Sequence, residues 1–147
     1  YARARLAGHP VIGLLVGKAM SGAFLAHGYQ ANRLIALRDP GVMVHAMGKA
    51  SAARVTLRSV EELEKLAASI PPMAYDIDSY AGLGLLWETL SVSQIEQPSA
   101  ADISAVQECL TAAIKDAQAG GNDLSSRLGA AHRSASSKVR ELLRAQW

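Results

Sequence analysis

The segment Val11-Ile12-Gly13-Leu14-Leu15-Val16, entered through His9-Pro10 and left through Gly17-Lys18, restricts the fold more than any other part of the chain. A strand with one wet face alternates apolar and polar residues. An unbroken apolar run predicts instead a strand covered on both faces, as in a sheet with helices packed against it. It is expected to be the most buried segment. Pro10 disfavours helical geometry in the residue before it, so the helix-forming stretch over residues 2 to 8 ends there and the strand begins. Small residues then run from Gly17 to Ala23, and Phe24-Leu25-Ala26-His27-Gly28 reads as a short helix ended by glycine. Strand, tight turn and helix follow in series.

The rest of the chain continues an α/β pattern. Asn32 to Leu37 predicts a second strand, closed by the turn Asp39-Pro40-Gly41, and Val42-Met43-Val44 a short third one. Ser59 and Glu62 are spaced as a capping box, followed by Val60, Leu63, Leu66, Ala67 and Ile70 on one helical face, with Pro71-Pro72 as the stop. Residues 73 to 84 are less regular, and residues 85 to 92 predict a strand. Ser99 opens a helix through Ile103, Val106, Leu110, Ile114 and Ala117, stopped at Gly120-Gly121. Leu124, Leu128, Ala131, Ala135, Val139 and Leu142 then predict one long carboxyl-terminal amphipathic helix, with arginines mostly on its other side.

Half of the 147 residues are hydrophobic and 5% aromatic, enough apolar material for one core and more suited to close-packed helices than to an aromatic-rich sandwich. One domain over residues 1 to 147 is expected. The formal charge of +2 comes from scattered Lys and Arg, which argues against a nucleic-acid partner. Cys109 is the single cysteine, so no internal disulfide can form, and a reducing, cytoplasmic setting fits. No apolar stretch approaches the ~20 residues a membrane helix needs. His9, His27, His45 and His132 have no metal-motif spacing, and no metal is expected. Tyr1-Ala2-Arg3-Ala4-Arg5-Leu6 reads as the inside of a helix, as at the start of a fragment.

At residues 9 to 24 the pattern becomes specific. His9-Pro10-Val11-Ile12 followed by Gly17-Lys18-Ala19-Met20-Ser21-Gly22-Ala23-Phe24 resembles the second half of the biotin-dependent carboxyltransferases, which have a crotonase-like fold. Residues 32 to 37, 39 to 44, 50 to 56 and 71 to 76 are most similar to the gamma subunit of biotin-independent malonate decarboxylase within that superfamily. The resemblance implies a partner beta subunit and an acyl carrier protein in a hetero-oligomer. It also implies no cofactor on this chain and no biotin, with the thioester arm brought by the carrier.

A malonyl thioester that loses carbon dioxide leaves an enolate, so the reaction needs donors aimed at the thioester oxygen. The resemblance assigns that oxyanion hole to the backbone N–H groups of Gly22 and Ala23. Gly17, Lys18, Met20 and Ser21 are expected to line the substrate, and Met20-Ser21 stand where many relatives carry further glycine. Two other readings stay open. Ala19-Met20-Ser21-Gly22-Ala23 has the small-x-Ser-x-small form of a hydrolase nucleophile elbow, which would require His132 as base and Asp76 or Asp102 as orienter. Alternatively the chain is a non-catalytic scaffold whose partner carries the chemistry.

Overall fold

The computed structural model describes residues 1–147, the side chain of Ala131 excepted. Its two sheets are both parallel. β1 (Ile12–Leu15), β3 (Arg33–Leu37) and β5 (Glu88–Leu90) form the first in the order β1-β3-β5, and β2 (Lys18–Met20) pairs with β4 (Met43–His45) in the second. The register places Leu14 beside Ile35 and Ala36 beside Thr89 in one sheet, and Met20 beside His45 in the other. The helices are α1 (Ala2–Leu6), α2 (Gly22–His27), α3 (Lys49–Val55), α4 (Val60–Ser69), α5 (Ile77–Gly82), α6 (Ala100–Ala119) and α7 (Ser134–Gln146). The core lies where the sheets meet α5: Leu15, Ala36, Leu37, Val42, Val44, Ile77, Tyr80 and Leu85 form one buried cluster.

Local chemistry accounts for most element ends. Ser59 Oγ accepts from the Glu62 N–H at 3.1 Å while Glu62 Oε2 accepts from the Ser59 N–H at 2.8 Å, so the expected capping box starts α4. Ile70, the residue before Pro71, ends that helix in extended geometry. Ser99 and Asp102 form the same box at the start of α6. Asp39 Oδ1 accepts from the Gly41 N–H at 2.7 Å, which closes the expected turn ahead of β4.

Four expectations need correction. The most buried strand is β3, not the 11–16 run: Leu34, Ile35 and Ala36 are fully buried, whereas β1 is an edge strand and Val16 is 51% exposed. The small residues 17–23 are not one turn, because Lys18–Met20 have the neighbour β4 to pair with. The expected glycine end of α2 is present, since Gly28 is its C-cap and opens a 3-10 turn over residues 28–30. Gly28 is small because a Cβ there would lie 2.3 Å from the Phe24 ring. Strand geometry in the 85–92 segment is confined to residues 88–90, since only these pair with β3. The long last helix is broken. Asp123 Oδ1 takes the Ser125 N–H at 2.9 Å, 3-10 turns occupy residues 125–127 and 131–133, and α7 begins only at Ser134.

Candidate functional site: a strand-to-helix corner with free amides

β2 leads straight into α2 through Ser21. Ser21 is extended (φ −178°, ψ 160°), and its Oγ accepts from the Phe24 N–H at 3.2 Å. Its carbonyl accepts from the Leu25 N–H at 3.3 Å, the first bond of the helix. A helix leaves its leading N–H groups without intrahelical acceptors, and here one hydroxyl satisfies the third residue. The N–H groups of Gly22 and Ala23 therefore have no acceptor among the described residues, and both residues are exposed. A Cβ at Gly22 would meet nothing within 4 Å. Glycine is thus not demanded by packing here, and its lack of a side chain leaves room for another molecule to approach the main chain.

The other expected site residues fall along the strand that feeds this corner. Gly17 accepts from the Met43 N–H at 3.3 Å, just before β2. Lys18 and Met20 share one face of β2, while Ala19 turns to the core cluster. Lys18 is exposed and, among the described residues, forms no ion pair. It stands three residues before Ser21, about 10 Å along an extended strand.

The nucleophile-elbow reading fails on placement. Ser21 Oγ is occupied as the cap of α2. His132 lies in the 131–133 turn against α5, its Cδ2 3.0 Å from where a Gly82 Cβ would stand. Asp76 caps α5 by accepting from the Ser79 N–H at 2.7 Å, and Asp102 accepts from Ser93 and Ser99 at the start of α6. Ser21, His132 and the two candidate acids thus stand at different places in the fold.

The residue that sequence spacing missed is His45. The parallel register sets it beside Met20, one residue before Ser21. Its ring stacks on Tyr75 with centroids 3.9 Å apart and 6° between planes, and Nδ1 accepts from the Met47 N–H at 3.3 Å. The Tyr75 hydroxyl donates to the Met47 carbonyl at 3.2 Å. Burial lowers the His45 pKa from its ordinary value, so the ring is neutral at pH 7. Among the described residues no group of three or more His, Cys, Asp or Glu side chains could hold a metal ion, and no helix is long and apolar enough to cross a membrane.

Parallel sheets, with a strand that leads into a helix start whose first two amides have no acceptor among the described residues, define an α/β chain. A family model described as malonate decarboxylase gamma subunit matches residues 1–147, and the chain belongs to that family. A Pseudomonas malonate decarboxylase hetero-tetramer solved in complex with coenzyme A contains a chain 75% identical over the whole of this one, with a TM-score of 0.93. The Pseudomonas MdcD-MdcE hetero-dimer contains one 69% identical, with a TM-score of 0.86. The malonyl-S-ACP:biotin-protein carboxyltransferase MADD of Malonomonas rubra is 33% identical over 132 residues, or 87% of this chain. The chain spans 41% of that protein's length and 56% and 54% of the two Pseudomonas chains.

Proposed function

We propose that this chain supplies the oxyanion-stabilising half of a malonate decarboxylase active site, as the carboxyl-terminal part of a crotonase-like gamma subunit working with a beta subunit in the cytoplasm. The single observation that carries this reading is the pair of exposed, acceptor-free N–H groups at Gly22 and Ala23. Malonyl held as a thioester on an acyl carrier protein breaks the bond between its methylene carbon and its carboxylate. Carbon dioxide leaves, the bonding pair moves onto the thioester as an enolate, and the two N–H groups hold the oxygen that gains charge. Addition of one proton to the methylene carbon gives acetyl thioester. α2 is short, so the donors themselves matter more than any helix dipole. Lys18, exposed along β2, adds a positive charge on the approach to the corner, where the substrate's carboxylate is attracted. Gly17, Met20 and Ser21 shape the wall beside it.

Both amides face solvent in this chain alone. A covering surface lets the donors act in a dry site, and the Pseudomonas hetero-dimer and hetero-tetramer, as assemblies of relatives with other subunits, support a partner that supplies it. Gly22→Pro tests the donors directly. Ser21 is already extended, as the residue before a proline prefers, and proline fits the first helical position while removing one N–H. Turnover of malonyl carrier by the assembled complex is expected to fall by about 10²–10³-fold. An unaltered rate in an intact complex removes the site from this corner. Because the Malonomonas relative is named for transfer to a biotin protein, avidin supplies a second check: turnover is expected to be insensitive to it, and inhibition would overturn the biotin-free reading.

A further inference from the structure

The stretch that starts at Ser21 ends, nine residues on, beside a second concavity. A cavity of about 430 Å³ lies between Tyr29-Gln30, the turn at Ser125–Arg127 and α7. Arg127, Arg133, Arg140 and Arg144 line it, and no carboxylate does. Arg127, 9% exposed, is its recessed member, donating from one Nη to the Tyr29 carbonyl at 2.6 Å and from the other to the Ala31 carbonyl. Arg140 and Arg144 stand exposed on α7, with Arg133 half-buried between.

Among the described residues these cations have no acid paired with them. Asp116 is taken by Arg33, and Asp123 accepts from the Ser125 N–H and hydroxyl. None of the four arginines forms an ion pair among the described residues. Burial, with the charges of Arg33 and Arg5 adding to it, lowers the Arg127 pKa below the ordinary guanidinium value. Four like charges around one concavity repel each other, and an anion seated among them reverses the sign of that energy. Guanidinium forks match phosphate oxygens two at a time.

Beside Gln30 and Ser125, the wall has an apolar part. Leu85, Leu124 and Leu128 line it together with Tyr29, whose ring is fixed by stacking on Tyr80 at 6.1 Å and 23°. Small-molecule sites of about 300–1,000 Å³ commonly combine such a wall with a few placed polar groups. A diphosphate offers several oxygens to the exposed arginines, while the recessed Arg127, whose two Nη donate to main-chain carbonyls, adds its charge to the cavity. We propose that this cavity binds a small molecule carrying a diphosphate group on a flat or apolar body, a nucleoside diphosphate being the simplest member of that class.

Calorimetric titration of the assembled hetero-oligomeric complex at about 50 mM salt, where screening is modest, provides the test. ADP and inorganic pyrophosphate are expected to bind saturably, ADP more tightly because it also covers the apolar wall, and adenosine at least about tenfold more weakly than ADP. The double substitution Arg140→Ala/Arg144→Ala is expected to weaken ADP at least about tenfold with malonate turnover unchanged. Both residues are exposed on α7, and circular dichroism checks that the fold is kept. Absence of saturable ADP binding, equal affinity in the double variant, or adenosine binding as tightly as ADP overturns the proposal. Binding to the isolated chain but not to the complex also overturns it, since the arginines would then serve a subunit contact.

Discussion

β1 and β3 are both apolar strands in one parallel sheet, paired along most of their length, yet β3 is far more deeply buried than β1. β3 has β1 on one side and β5 on the other, and three of its five residues are wholly inaccessible. β1 has a neighbour on one side only, and the run it belongs to ends at an exposed valine. Hydrophobicity alone reports that a strand can be covered. Which strand is covered is decided by pairing order, a property of distant segments.

The sharpest way to break the comparison is to shorten one side chain in each strand. Ile35→Ala leaves a void at a site with no solvent access and is expected to cost about 2–5 kcal/mol in chemical denaturation. A cost below that of an edge substitution would mean that β3 is not the centre. Gly13→Ala is next. Its new Cβ would lie 2.5 Å from Leu34 Cδ2, and because Leu34 is fully buried the expected loss is about 1–3 kcal/mol. Combined with Leu34→Ala, the two losses should be less than additive; strict additivity would show that these residues do not touch. Val16→Thr, at the exposed end of the edge strand, should shift stability by no more than about 0.5 kcal/mol.

The smallest effect lies where the continuations of these strands pair, at His45. Its folded-state pKa is lowered by burial, so the unfolded chain binds the proton more readily. Stability from this residue is present above about pH 6.5 and falls as pH drops through the folded value. His45→Gln should flatten that part of the stability profile. An unchanged slope would remove His45 as its cause.

Much of this molecule was readable locally. Ser59-Glu62, Asp39-Pro40-Gly41 and Pro71 act on their immediate neighbours, and each does in the structure what its spacing implies. Asp76 likewise acts on its immediate neighbours, as the cap of α5. What escaped depends on distance along the chain. β2 exists because β4 lies beside it, 25 residues later in register, so its small residues read as a turn. The last segment's periodicity survives across Ser125–Arg127 and Ala131–Arg133, but local side-chain bonds interrupt the helix that periodicity implies. The Gly22-Ala23 corner was visible as a motif, because two adjacent amides at a helix start need no remote partner. The arginine cavity was not, since Arg133, Arg140 and Arg144 look like the wet side of a helix until Tyr29 and Arg127 are brought against them.

Ser21 has a consequence for counting. Three amides lead α2, and a single hydroxyl claims the third, so the corner presents a two-pronged hook rather than a three-pronged one. The choice of residue at position 21 thereby sets the valence of the corner toward an incoming oxygen. With glycine there, the Phe24 amide would be released one step further along the turn, and a bound oxygen would have two adjacent seats instead of one. In the proposed oxyanion hole, a serine that transfers nothing itself would decide where the charge can rest.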